Sequence, residues 1–160
     1  MEIEAVAARV AGRLIARRQT VVVAESSAGG LVSAALLAVP GASAYFLGGA
    51  VVYTALARET LLGIAPADMA DLRPASLAYA RLLAGRMRER FGADWALAES
   101  GAAGPTGNRY GDASGHACLA VAGASEAIRT LATGSPDRDA NMRRFAVAAL
   151  ELLDETLAAG

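Results

Sequence analysis

The chain reads as an α/β domain whose sheet is mostly parallel and carries one antiparallel strand. Three observations predict it. Short β-branched or apolar runs alternate with stretches of helical period along the 160 residues, the order that builds a parallel sheet. Glycine-rich turns follow two of those runs directly, at residues 25–30 and 100–107, where α/β sheets place their sites. Late in the chain, the runs 116–121 and 127–133 are separated only by residues 122–126, so a hairpin supplies the antiparallel strand.

In chain order, residues 2–18 form an amphipathic helix, with Ile3, Val6, Ala7, Val10 and Leu14 on one face and Arg9, Arg13 and Arg17 on the other. Residues 20–24 are a buried strand, and Glu25-Ser26-Ser27-Ala28-Gly29-Gly30 turns it into a helix over 31–39 that Pro40 ends. Gly41-Ala42-Ser43-Ala44 is a loop, 49–53 a second buried strand and 55–62 a helix. Residues 76–91 are helical, with Ala80, Leu83, Ala84, Met87 and Phe91 on one face, and 95–99 make a third strand. The small-residue loop that opens with Ser100-Gly101-Ala102-Ala103-Gly104-Pro105 runs on to Gly115. Asp137 caps a last helix that reaches residue 157.

Composition narrows the function classes. A net charge of −1 without a basic block lacks the footprint of a nucleic-acid binder. All 15 basic residues are arginine, which excludes Schiff-base lysines, a phosphate-loop lysine and a serine–lysine dyad. One histidine argues against an imidazole metal cluster, and one cysteine, Cys118, fits a reducing compartment. No charge occurs between Glu25 and Arg58, and Pro40-Gly41 divides that span into halves too short to cross a membrane. It is expected to be buried, with a few hydroxyls in tight turns, as in a small-ligand site. The amides at the start of the 31–39 helix suit an anion. The same serines and glycines equally suit a structural role as caps and close-packing points. The stretch alone leaves both readings open.

Taken together, several motifs resemble the CinA C-terminal domain family, the nicotinamide-nucleotide amidases. Ala24-Glu25-Ser26-Ser27-Ala28-Gly29-Gly30 resembles the family's AESCTGG, and Gly41-Ala42-Ser43-Ala44-Tyr45-Phe46 its GSSAxF. Val52-Tyr53-Thr54 resembles VTYS, Leu61-Leu62-Gly63-Ile64 resembles LLGV, and Ser100-Gly101-Ala102-Ala103-Gly104-Pro105 resembles SGIAGP. Residues 134–138 resemble the late GDR. The matches come in family order across nearly the whole chain.

The resemblance implies a single domain over residues 1–160, a three-layer α/β/α sandwich around a mixed, mostly parallel five-stranded sheet. It implies a stand-alone form of a family whose larger members add a molybdopterin-binding-like domain. The implied reaction is hydrolysis of the carboxamide of nicotinamide mononucleotide to nicotinic acid mononucleotide and ammonia, with no metal or cofactor. A cytoplasmic homo-oligomer acting on a small nucleotide-like molecule, and binding neither nucleic acid nor membrane, is expected. Carried over by motif, Ser43 is the nucleophile and Tyr53 assists it. Ser26, Ser27, Gly29, Gly30, Ser100, Gly101 and Gly104 surround the substrate, and Arg138 meets its phosphate. Backbone N–H groups near Gly29-Gly30 or Gly101 and Gly104 would hold the oxyanion or the phosphate.

One departure bears on mechanism. Arg58 stands where the family has its lysine base, and a guanidinium cannot accept the serine proton. Two readings follow. Either the chain is a hydrolase with a changed base, His116 or Asp112 being the candidates, or it binds a nucleotide-like anion with Arg58 as a fixed cation. In the bland alternatives, His116 is a packed strand residue and Arg58 pairs with Glu59 or Glu25. A third class, an interaction module, predicts that Ser26, Ser43 and Ser100 lie far apart.

Overall fold

The computed structural model describes residues 2–160. The described residues form helices α1 (Glu2–Arg17), α2 (Leu31–Leu37), α3 (Ala55–Leu62), α4 (Leu77–Phe91) and α5 (Arg138–Ala159). The strands are β1 (Val21–Glu25), β2 (Phe46–Val51), β3 (Trp95–Ala102), β4 (His116–Ala122) and β5 (Ala127–Ala132), with 3₁₀ turns at Ala42–Ala44 and Pro66–Met69. The sheet order is β2-β1-β3-β4-β5. β1 pairs in parallel with β2 and β3, whereas β3–β4 and β4–β5 are antiparallel. β4 therefore runs against the other four strands, as the late hairpin predicts.

Strand alternation divides the core into two. Val21, Val23, Trp95, Leu97, Ala117, Leu119 and Val121 face one side, where α1, α2 and α5 bury Leu14, Leu36, Phe145 and Leu153 against them. Val22, Ala24, Ala96, Ala98, Cys118 and Ala120 face the other, against Leu83, Ala84 and Met87 of α4. That second face is built almost wholly from alanine, so α4 rides close to the sheet. Three layers result. Polar caps set the helix starts: Thr54 Oγ1 accepts from the Ala57 amide, Ser76 Oγ from Tyr79, and Asp137 from Ala140. The β4–β5 hairpin needs glycine at 123, where a Cβ would stand 2.2 Å from the Trp95 ring.

Two expectations need correction. The second strand lies at residues 46–51, not 49–53, and it is the sheet's edge rather than a buried strand. Its residues alternate between half-buried and exposed because successive side chains point to opposite faces of the sheet, and no strand pairs with its outer side. Nor is the uncharged span buried throughout. Leu37, Leu47, Val51, Tyr53 and Leu56 are all exposed, Leu56 by 74 %. Absence of charge marked both core, as at Val32, Leu36 and Tyr45, and an uncharged surface beside it.

Candidate functional site

The carboxyl ends of β1, β2 and β3 share one rim of the sheet, and the starts of β4 and α5 reach the same rim. Loops 26–30, 52–54 and 103–115 therefore converge there, as expected for an open α/β sheet. Arg138, the first residue of α5, ties two of them together. Its guanidinium donates to the Gly104 carbonyl and, at 3.1 Å, to the Tyr53 hydroxyl. A cation and a phenol thus stand side by side at an open mouth, with Tyr53 59 % exposed.

Beneath the first loop lie two buried carboxylates from adjacent strands. Glu25 accepts from the amides of Gly30, Val32 and Ser33 and from the Ser33 hydroxyl, at 2.8–3.1 Å. An internal acid thereby satisfies the orphan amides at the start of α2. Glu99 Oε1 accepts from the Ser26 amide at 3.0 Å and the Ala28 amide at 2.7 Å, while its Oε2, fully buried, has no partner among the described residues. Burial pushes the Glu99 carboxyl up to about 7, with the Glu25 charge adding to the effect and the amide bonds opposing it. The Gly29 amide closes a turn onto the Ser26 carbonyl. The expectation that Gly29 and Gly30 offer amides to an oxyanion or phosphate is therefore corrected: Glu25 and the turn already hold them.

The remaining loop residues are held just as firmly. Ser27 Oγ donates to the Gly101 carbonyl at 2.6 Å, and Ser100 Oγ accepts the Ala75 amide at 3.0 Å; both serines are buried. Their hydroxyls position the loops and do not line an open mouth. Gly101 lies in the β3–β4 ladder opposite Ala117. Gly104 needs its glycine: φ is +106°, and a Cβ would stand 2.2 Å from Ser114 Oγ. Ser26, half-buried at the end of β1, is the loop serine left facing the rim.

Neither candidate base has the required environment. His116 Nε2 lies 2.8 Å from the Ala75 carbonyl, the packed strand role. Asp112 is bound bidentately by Arg73 at 2.7 and 3.2 Å, and that bond, aided by Asn108, holds its carboxyl below the usual carboxylate range. Among the described residues, Arg58 forms an ion pair with neither Glu25 nor Glu59. Its guanidinium instead lies 5.5 Å from the centre of the Tyr79 ring, a cation–π contact.

Ser43 is placed apart from all of these. It sits exposed on the Ala42–Ala44 turn before β2, whereas Tyr53 and Arg58 follow β2. Six strand residues separate the two ends by about 20 Å, so no single chain joins the Ser43 hydroxyl to Tyr53. Of Ser26, Ser43 and Ser100, only the first and last share the rim. The sequence reading also missed Glu99. Its signal was a lone acid closing an apolar strand, which alternation turns inward on the same face as Trp95 and Leu97. A separate cleft of about 810 Å³ at the opposite rim includes Arg86, Arg88, Asp94 and Gly123. Its Arg86 and Arg88 already donate to backbone carbonyls of residues 62, 63, 93 and 94.

This architecture recurs in known proteins. A CinA superfamily protein from Klebsiella pneumoniae superimposes with a TM-score of 0.91 at 28% identity, over 99% of both chains. A competence/damage inducible protein from Agrobacterium tumefaciens gives 0.90 at 28% identity, over 99% of this chain and 96% of its own. A CinA-like protein of Desulfosudis oleivorans is 36% identical over 155 residues, 96% of this chain and 37% of the relative. One from Prochlorococcus marinus is 44% identical over 120 residues, 75% of this chain and 28% of the relative. The chain thus spans about a third of these curated relatives. The model of the CinA C-terminal domain matches residues 3–157. With that match over nearly its whole length, and with the fold in agreement, the chain belongs to the CinA C-terminal domain family.

Proposed function

We propose that the chain is an amidohydrolase of the nicotinamide-nucleotide amidase type, releasing ammonia from the carboxamide of a phosphate-bearing pyridine nucleotide. The observation that carries this reading is Arg138 set against Tyr53 at the strand rim. A guanidinium suits the phosphate, and a phenol beside it suits the reacting carbonyl or the leaving nitrogen. In this reading the Ser43 hydroxyl attacks the carboxamide carbon, the C–N bond breaks, ammonia leaves, and water hydrolyses the acyl-serine. Arg58 keeps its proton, so another group must accept that of the serine. Burial pushes the Glu99 carboxyl up to about 7, and it holds the amide of Ser26, the residue that follows β1 between β2 and β3. It is our candidate acceptor, with the Ser26 hydroxyl as the link to the rim, where in this reading Ser43 arrives from a second copy of the chain, since within one chain it lies about 20 Å away.

A second reading, a binding module for a nucleotide-like anion, is favoured by Arg58 resting on Tyr79 instead of facing a reacting group. Ammonia release from nicotinamide mononucleotide separates the two. The amidase reading expects release that Ser43→Ala lowers by roughly 10³-fold or more and Arg58→Lys raises by about 10–100-fold. Saturable binding of the nucleotide without release, in wild type and in Arg58→Lys, would leave the binding module standing.

A further inference from the structure

One buried polar side chain beside the rim has no part in the proposed chemistry. Asn141 lies on α5, one turn past Arg138, and is fully buried. An amide in such a place must find partners inside the protein, and Asn141 finds three. Its Nδ2 donates to the carbonyls of Ala103 and Ser135, both at 2.8 Å, and its Oδ1 accepts from the Thr133 hydroxyl. The two carbonyls can only accept, so they fix which end of the amide faces them. The Ser135 amide donates in turn to Thr133 Oγ1 at 3.2 Å, and Ser114 Oγ donates to the Ser135 carbonyl at 2.9 Å. Asn141 is the knot between the loop after β3, the turn after β5 and the first turn of α5.

Arg138 uses the same helix face for the next carbonyl along. Asn141 takes that of Ala103, and Arg138 takes that of Gly104. Residues three apart on a helix lie on one side, so one helical turn holds two consecutive carbonyls. The junction is closely packed: a Cβ on Gly104 would stand 2.2 Å from Ser114 Oγ and 3.0 Å from the Pro136 carbonyl oxygen. Arg138 itself is exposed and opens the helix, where backbone amides lack internal partners and ends fray. Asp137 caps one of those amides, that of Ala140. The firmer tie to the loop carrying Gly104 is buried one turn deeper, at Asn141.

We propose that Asn141 is a positioning residue for the anion site. It locks the first turn of α5 onto the 103–104 carbonyls, so that the Arg138 guanidinium stands beside Tyr53, and the preference for a phosphate-bearing ligand over its dephosphorylated counterpart depends on it. The role given to Arg138 rests on the amidase reading; the bonds of Asn141 do not. A guanidinium held in one place loses less freedom when it grips an anion. Moving its anchor weakens that grip and leaves the pyridine end of the ligand untouched.

Calorimetric titration with nicotinic acid mononucleotide and with its riboside, which lacks the phosphate, tests this without turnover. Asn141→Leu keeps the volume and the helix but removes all three bonds. Thr133→Val, a change of equal shape, removes only the hydroxyl that orients the amide, and serves if the first variant fails to fold. Wild type should favour the mononucleotide over the riboside by about 10–100-fold, and Arg138→Ala should remove that preference. Asn141→Leu should weaken the mononucleotide by about 10-fold and Thr133→Val by about 3-fold, each leaving the riboside within about twofold. In an Arg138→Ala background, Asn141→Leu should cost nothing further, because it acts through the guanidinium already removed. Equal weakening of both ligands, or an undiminished effect without Arg138, would mean that Asn141 only stabilises the fold and would overturn the proposal. So would a wild-type protein whose binding is absent or indifferent to the phosphate. If the phosphate preference follows Asn141 but nicotinamide mononucleotide yields no ammonia, the amidase reading falls and the positioning role stands.

Discussion

The sheet has two edges, and they are built differently. β2 and β5 are both six residues long, and both alternate between half-buried and exposed positions. β5 carries Arg129 in its middle, and the guanidinium pairs with Glu155 of α5 at 2.5 Å. A charge of this kind discourages a second sheet from adding on. β2 has two glycines at its centre and no charge. The same burial pattern thus ends in an edge that carries a charge on one side and an edge without one on the other. What separates them is Arg129, which β5 carries at a half-buried position against Glu155 and which nothing on β2 matches, not the amount of surface.

The strongest way to break this comparison is to give β2 the guard that β5 has. If copies of the chain associate through this edge, Val51→Arg would put unpaired cations in the contact and should weaken association by about 10³-fold. Sedimentation over a dilution series checks it. Ile128→Arg, the same change on the exposed face of β5, should leave the sedimentation of the protein as it was. If both variants behave alike, the edges are not distinct.

The next largest effect separates assembly from the titration of the rim. The folded Glu99 carboxyl titrates near 7 against an ordinary 4.5. Between those values the native state keeps a proton that the unfolded chain has lost, so stability falls as pH rises through the window. The loss reaches about 3 kcal/mol above pH 7. Glu99→Gln removes it while keeping an acceptor for the Ser26 and Ala28 amides. The variant should melt on the order of 5–10 °C higher than wild type at pH 8 and at the same temperature at pH 4. Its ammonia release should drop even as its stability rises. The smallest effect is expected at the guarded edge itself. Arg129→Ala should cost less than about 1 kcal/mol in urea titration, since the ion pair is partly exposed.

Much of this fold was legible because periodicity reports burial directly. The β-branched run from Val21, the Ala80-Leu83-Ala84-Met87 face of α4 and the late hairpin all fell where their spacing put them. β2 was misplaced for a physical reason. A stretch such as Phe46-Leu47-Gly48-Gly49-Ala50-Val51 has the same composition whether it is covered by its own chain or by another, and apolar content does not say which. At the rim, the residues with hydroxyls or cations could be named, but their bonding partners are distant in sequence, 74 residues for Ser27 with Gly101 and 73 for Ser26 with Glu99. That is why Ser27 and Ser100 read as open binding groups and proved to be occupied, whereas Gly29 and Gly30 are taken by Ser26 and Glu25 close by in sequence, through a turn that spacing alone does not show. Arg58 was identified from its spacing to Tyr53, whereas its seat over Tyr79 depends on how α3 packs on α4.

The wall formed by loop 103–115 has a bearing on rate. The Asn108 carbonyl oxygen of the side chain accepts from the amides of Tyr110 and Asp112, Arg73 grips Asp112, and Ala75 is buried at φ +58° between Ser100 and His116. A loop tied at so many points is a fixed partition, not a lid. A ligand would enter and leave past a rigid edge without waiting for a gate to swing. Under the amidase reading, turnover in such a site would be governed by bond making and breaking, and a heavy-isotope label at the scissile C–N bond should show in the steady-state rate undiluted by a slow opening step.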